Sequence, residues 1–156
     1  MCHSTDRLAC ASMPVSTSAD SLAAGLVAAV ASGVPSTAWT LARGEDLLEA
    51  ARAAGSVVLG PRAPDLALLA AAVPVHLALS VGWAGVLARA VPRGRELPGC
   101  VAGGLAIAAL DLGVAARLRA PRVRALPQGR QWADHVAFGA AVGLVLRARR
   151  GGEHRR

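Results

Sequence analysis

Four ionisable residues, His76, Asp111, Asp134 and His135, stand inside or at the mouth of otherwise apolar runs. His76 interrupts DLALLAAAVPVHLALSVGWAGVLA from Asp65 to Ala88, and Asp111 interrupts PGCVAGGLAIAALDLGVAA from Pro98 to Ala116. Asp134 and His135 occupy the first turn of the last run. An ionised carboxylate in hydrocarbon costs at least about 2.5–3.5 kcal/mol, so Asp111 must be protonated, paired or wet. His76 or His135 is its natural partner. Burial disfavours a carboxylate and a nearby imidazolium favours it, so such a pair answers to pH. The chemistry expected is proton titration or ion binding, with the hydroxyls of Ser36 and Thr37 as further ligands. Structural roles stand beside it: Asp134 as a helix cap or dipole partner, His76 as interhelical glue, and an Asp–His bond as a tie that holds a bundle together.

Other chemistries lack their signatures. Two histidines and two carboxylates match a metal's donor set, yet no Glu-x-x-His or His-Glu-x-x-His spacing accompanies them, which leaves a membrane-embedded metal enzyme the weakest reading. There is no Gly-x-Ser-x-Gly and no phosphate-binding loop. Cys2, Cys10 and Cys100 follow no zinc or redox spacing. No catalytic residue, metal or cofactor is assigned, and the chain is expected not to be an enzyme.

The elements that must position these residues follow from the bilayer. A helix rises about 1.5 Å per residue and the hydrocarbon core is about 30 Å thick, so roughly 20 apolar residues cross it. Four spans are predicted, at about 21–42, 65–88, 98–116 and 131–147. Asp20 or Ser21 offers an N-cap to the first, and Pro35 should kink it, as Pro74 should kink the second. Asp65 caps the second span. Between them EDLLEAARAAGSVVLG is too short and charged to cross; Leu47, Leu48, Ala51, Ala54 and Val58 share a face, giving a short interfacial helix. Residues 1–19 read as a mobile polar tail and 148–156 as a basic C-terminal tail around a membrane domain spanning 20–147. Trp132 is placed as an interfacial anchor, with Arg130 and Arg147 snorkelling at either end of the last span. The rival reading of residues 1–31 as a cleaved signal peptide is weakened because the apolar run continues past Ala29-Val30-Ala31.

Composition agrees with a multi-pass protein of the cell membrane: 54% of the 156 residues are hydrophobic and gathered into long runs. The net charge of +7 comes from 17 arginines without a lysine. They stand at the ends of apolar runs with no interleaved aromatics, so nucleic acid is not an expected partner. The bilayer is, along with a second copy or another membrane protein. Nine arginines fall on the side of the two termini and eight on the other, a difference too small to orient the protein, with a slight lean to termini inside.

Aligning the spans at midpoints near Ala31, Leu77, Ile107 and Gly139 in up-down-up-down order puts Pro35 to Thr37, Pro74 to His76, Asp111, and Asp134 with His135 at one depth. Gly99-x-x-x-Gly103, Gly139-x-x-x-Gly143 and the stripe Gly25, Ala29, Gly33 would let the helices approach closely. The fold class is therefore all-α, a four-helix transmembrane bundle. At Gly33-Val34-Pro35-Ser36-Thr37, around His76, and at Arg124 to Pro127 followed by Ala133-Asp134-His135 and Phe138-Gly139, the chain resembles a group of small bacterial four-span integral membrane proteins. That resemblance covers roughly residues 20–147 and implies the architecture but neither an activity nor a cofactor. The expected function is a non-enzymatic accessory or structural subunit with an intramembrane His/Asp network. The alternative is a proton-coupled carrier or channel using Asp111 with His76 or His135.

Overall fold

The structure, a computed structural model, describes residues 16–153. Cys2, Cys10 and the first fifteen residues of the expected tail lie outside that range. Within it the fold is all helical: α1 (Ser16–Ala31), α2 (Val34–Arg43), α3 (Glu49–Leu59), α4 (Asp65–Ala90), α5 (Glu96–Leu110), a π-helical turn (Asp111–Ala115), α6 (Ala116–Arg119), α7 (Pro121–Ala125) and α8 (Gln128–Glu153).

Three helical stretches are long and apolar enough to cross a membrane: Ser18–Arg43, Asp65–Ala90 and Glu96–Leu118. The fourth predicted span lies within α8, which is long enough but carries Arg130, Asp134, Arg147, Arg149 and Arg150, so its apolar content falls short. Helix extends into parts of both predicted tails. Helix α1 starts at Ser16, ahead of the proposed cap, and Asp20 sits inside it, 3.0 Å from Arg149. At the other end α8 runs on to Glu153. Asp65 is the first residue of α4, whose N-cap is Pro64; its carboxylate favours the helix dipole and faces Arg52.

Close pairs fix the topology. Ala29 meets His76, and Gly25 meets Val81, so α1 and α4 are antiparallel. Gly104 lies on His135, and Gly143 on Glu96 and Leu97, so α5 and α8 are antiparallel too. Ser36 meets Asp134 while Asp20 meets Arg149, which runs α8 against the α1–α2 segment. The start of α1, the end of α8 and the α4–α5 turn consequently share one end of the molecule.

Small residues make up much of the interior. Ala24, Ala28, Ala84, Ala88 and Cys100 are buried with Leu87, Ile107, Phe138, Val142 and Leu146. Large aliphatics point outward instead: Val30 and Leu66 are each 80% exposed. A water-soluble fold would invert that arrangement, whereas in lipid small residues bring helices together and large ones face the acyl chains. The predicted glycine motifs make close approaches, though not to each other. Gly139 and Gly143 press on Cys100 and Glu96 of α5, while Gly103 receives Leu87 of α4 and Gly99 receives Val91 just beyond it. Gly25 packs on α4, and Gly33 faces open space.

Helix α3 turns a different face inward from the one expected. Ala53, Gly55 and Ser56 are buried, and Leu47, Leu48 and Val58 are exposed. The small face wins because Gly55 has no side chain to keep it from the Leu68 backbone of α4. Electrostatics pin the junction: Arg52 lies 2.7 Å from Asp46, 3.1 Å from Glu49 and 3.1 Å from Asp65. The hydrogen bond from Arg52, helped by the Leu48 N–H, holds the Asp46 carboxyl below its ordinary range. A depressed folded-state value means this contribution is complete above the ordinary carboxylate range and is lost as pH falls through the lowered one. Acid unfolding of the detergent-solubilised protein should therefore be less steep in Asp46→Asn than in the wild type below about pH 4, read by circular dichroism. Parallel acid profiles would show that Asp46 contributes nothing to docking α3.

Candidate functional site

Pro35 creates the first part of the site. Its ring cannot tolerate the carbonyl four residues earlier and it offers no N–H, so α1 ends at Ala31 and α2 restarts at Val34 after Ser32 and Gly33. The break leaves backbone groups without partners inside their own helices. Two predicted residues take them up. The Ser36 N–H, in the first turn of α2, donates to Asp134 Oδ1 at 2.9 Å. The Ala29 carbonyl lies 2.8 Å from His76 Nε2, and since a carbonyl only accepts, that nitrogen carries the proton. Asp134 is thus a cap, as one sequence reading had it, but it caps α2 from across the bundle and stands in the second turn of its own helix.

Asp111 and His135 form the second part. Asp111 opens the π-helical turn, in which its carbonyl accepts the Ala116 N–H five residues on. Such turns insert one residue into a helix and re-aim the side chains around it, and they recur at functional positions. Here Asp111 Oδ2 comes to 3.5 Å from His135 Nε2 on α8. The other ring nitrogen, Nδ1, is 2.7 Å from the Gln131 carbonyl and must donate to it. Nε2 then carries a hydrogen only as an imidazolium. A bare nitrogen facing a bare carboxylate would set lone pair against lone pair, so the pair is satisfied when one proton resides on either His135 or Asp111.

Both parts open onto one cavity of about 500 Å³. His76, Asp111, Asp134 and His135 all line it, with Ser32, Ser80 and Gln131 adding polar groups and Trp83 and Phe138 aromatic ones. Two short elements close its sides: Ala54 and Val57 from α3, and Val123 of α7 with the adjoining Leu126. Of the two hydroxyl residues predicted for the site, Ser36 contributes its backbone N–H while its hydroxyl bonds back to Gly33, 3.3 Å away. Thr37 is exposed and does not line the cavity. The partner of Asp111 is His135 and not His76, which is directed to the α1 break. Among the described residues, no three of His, Cys, Asp and Glu converge as metal ligands would.

A second polar cluster had no counterpart in the sequence reading. Arg150, read there as the start of a polar tail, is 9% exposed and Glu96 is 5% exposed. The guanidinium donates to Glu96 (3.3 Å) and to the Val91 (3.2 Å) and Ala88 (2.5 Å) carbonyls. It thereby ties the end of α8 to the α4–α5 turn. At the opposite end Arg130 does not snorkel freely: it donates to Thr40 Oγ1 at 3.0 Å and Glu45 Oε2 at 2.5 Å. Trp132 near it is 37% exposed, and Trp39, 50% exposed on α2, stacks under the Arg43 guanidinium at 5.2 Å.

No family model, no curated protein and no solved structure matches the chain. Its function is argued from the site alone.

Proposed function

We propose that this is a non-enzymatic, four-span protein of the cell membrane whose cavity binds a small solute in exchange with a proton held by Asp111 and His135. Helix α8 is the fourth crossing: it lies antiparallel to α1 and α5, and an arginine-rich helix is tolerated in the bundle when Arg130 and Arg150 are paired near its ends. The outward-facing Trp39 and Trp132, each close to an arginine, suit a headgroup level just beyond the site.

The observation that carries the binding reading is that the Asp111–His135 pair faces a cavity. Glu96 and Arg150 border a pocket too, but they are almost fully buried and the guanidinium is spent on Glu96 and two backbone carbonyls. The Asp111 side chain, in contrast, keeps 35% of its surface exposed and meets His135 only at 3.5 Å. Here the titratable pair borders a space of about 500 Å³, large enough for a small organic ligand. The accessory-subunit reading keeps one specific support: His76 and Asp134 spend hydrogen bonds on the backbone at the α1 break. We assign those two to holding the cavity's shape and the other two to titration.

Nuclear magnetic resonance of histidine-labelled protein in nanodiscs tests this directly. His135 should titrate reversibly, with a midpoint that moves in Asp111→Asn. A His135 signal that is indifferent both to pH and to Asp111→Asn would reduce the pair to a structural tie.

A further inference from the structure

Resting on that reading, we infer that the ligand is a small organic cation, a protonated or quaternary amine bearing an apolar body. The charge of the wall points to it. The chain has 17 arginines, and among the residues whose side chains the structure describes none of them lines the cavity. Among the described residues, the titratable groups facing it are His76 on α4, Asp111 on the π-helical turn, and Asp134 and His135 on α8; α3 and α7 present only uncharged residues. With the imidazoles neutral, the fixed charge is therefore that of two carboxylates, and these need protons or a cation.

The two carboxylates are not equivalent. Asp134 is engaged by the Ser36 N–H, whereas the nearest partner of Asp111 is a histidine that is charged only when protonated. A cation entering beside Asp111 takes the place of that proton. His135 becomes neutral, keeps its bond to the Gln131 carbonyl, and the proton leaves to solution. The rest of the wall fits an apolar body. Trp83 and Phe138 line the same cavity in a chain with only three Trp, one Phe and no Tyr, and an aromatic face attracts an ammonium group by its quadrupole. An anionic ligand would meet two carboxylates with no arginine among the described lining residues to offset them.

The test is calorimetric titration of the full-length protein in phosphatidylcholine nanodiscs with benzyltrimethylammonium, and with phenylmethanesulfonate as a comparator of similar size and opposite charge. The cation should bind and the anion should not. Affinity for the cation should drop about tenfold for each pH unit through which the pair takes up its proton. Asp111→Asn should weaken binding at least about tenfold. The charge and pH arms use wild-type protein, so misfolding of the variant does not decide the matter. Equal binding of the two ions, or binding of neither while His135 still titrates in step with Asp111, would overturn the choice of a cation and leave the proton-linked cavity standing. A silent His135 would instead remove the reading on which this one rests.

Discussion

Arg150→Ala should destabilise the protein by about 3–5 kcal/mol, the loss expected when one member of a buried ion pair is removed and the other is stranded. Glu96 would be left 5% exposed beside the first turn of α5 with no cation to face. The Ala88 and Val91 carbonyls at the end of α4 would lose their donors as well. Those carbonyls belong to the group that a helix cannot satisfy internally, and a planar guanidinium with five N–H donors can reach two of them and a carboxylate together. Lysine, with a single flexible ammonium, cannot span the three acceptors, so Arg150→Lys should recover only part of the loss. Replacing both partners, Arg150→Met with Glu96→Gln, should cost less than the sum of the two single changes, with a coupling of about 1–3 kcal/mol. Reversible unfolding in mixed micelles by sodium dodecyl sulfate measures the wild type and these five variants. A change within about 0.5 kcal/mol for Arg150→Ala would mean that the pair behaves as an exposed one and that α8 does not clamp the turn.

This clamp also illustrates what could be read from the chain and what could not. Apolar runs announce helices that face lipid, and three of them reappear with long outward aliphatics. That Asp111, Asp134 and His135 come to one level of the bundle follows from run length and the 1.5 Å rise, because both quantities are local. Pairing is not local. Nothing in the order of residues tells whether Asp111 meets His76 or His135; the π-helical turn at Asp111–Ala115, a property of backbone hydrogen bonding, swings the carboxylate toward α8. Asp134 looked like a cap for its own helix because the apolar run begins beside it, yet the helix starts at Gln128 and the unsatisfied N–H belongs to Ser36, 98 residues earlier. Arg150 reads as tail because the apolar run stops at Leu146. A helix held by partners on other elements need not stop where its hydrophobicity does.

Glycine substitutions should separate the closely packed helix contacts from the open ones with opposite signs. In α8, Gly129 and Gly151 face open space, and exchanging either for alanine removes backbone freedom from the unfolded chain at no steric cost. Each should stabilise by up to about 1 kcal/mol. The same exchange at Gly55 carries the same propensity gain, but the new methyl would stand 2.6 Å from the Leu68 carbonyl carbon and 2.9 Å from its Cα, with the carbonyl oxygen nearer still. These are backbone atoms of α4 and cannot swing aside as a side chain can. Helix α3 must lift away, and overpacking of this kind costs about 1–3 kcal/mol or more, which outweighs the propensity term. Gly139→Ala meets the Cys100 carbonyl and the Val101 Cα at 3.0 Å in the same manner and should separate α8 from α5. The two sites differ in consequence. Moving α3 shifts Ala54 and Val57, which line only the cavity's side, so Gly55→Ala should weaken ligand binding while the Asp111–His135 titration persists. Moving α8 off α5 pulls His135 from Asp111 and should alter that titration itself. Unfolding in detergent gives the stabilities and the histidine resonances give the pair. If Gly55→Ala or Gly139→Ala stabilised the protein as Gly129→Ala is expected to, the helices would not approach as closely as described, and the cavity built from their spacing would have a different shape.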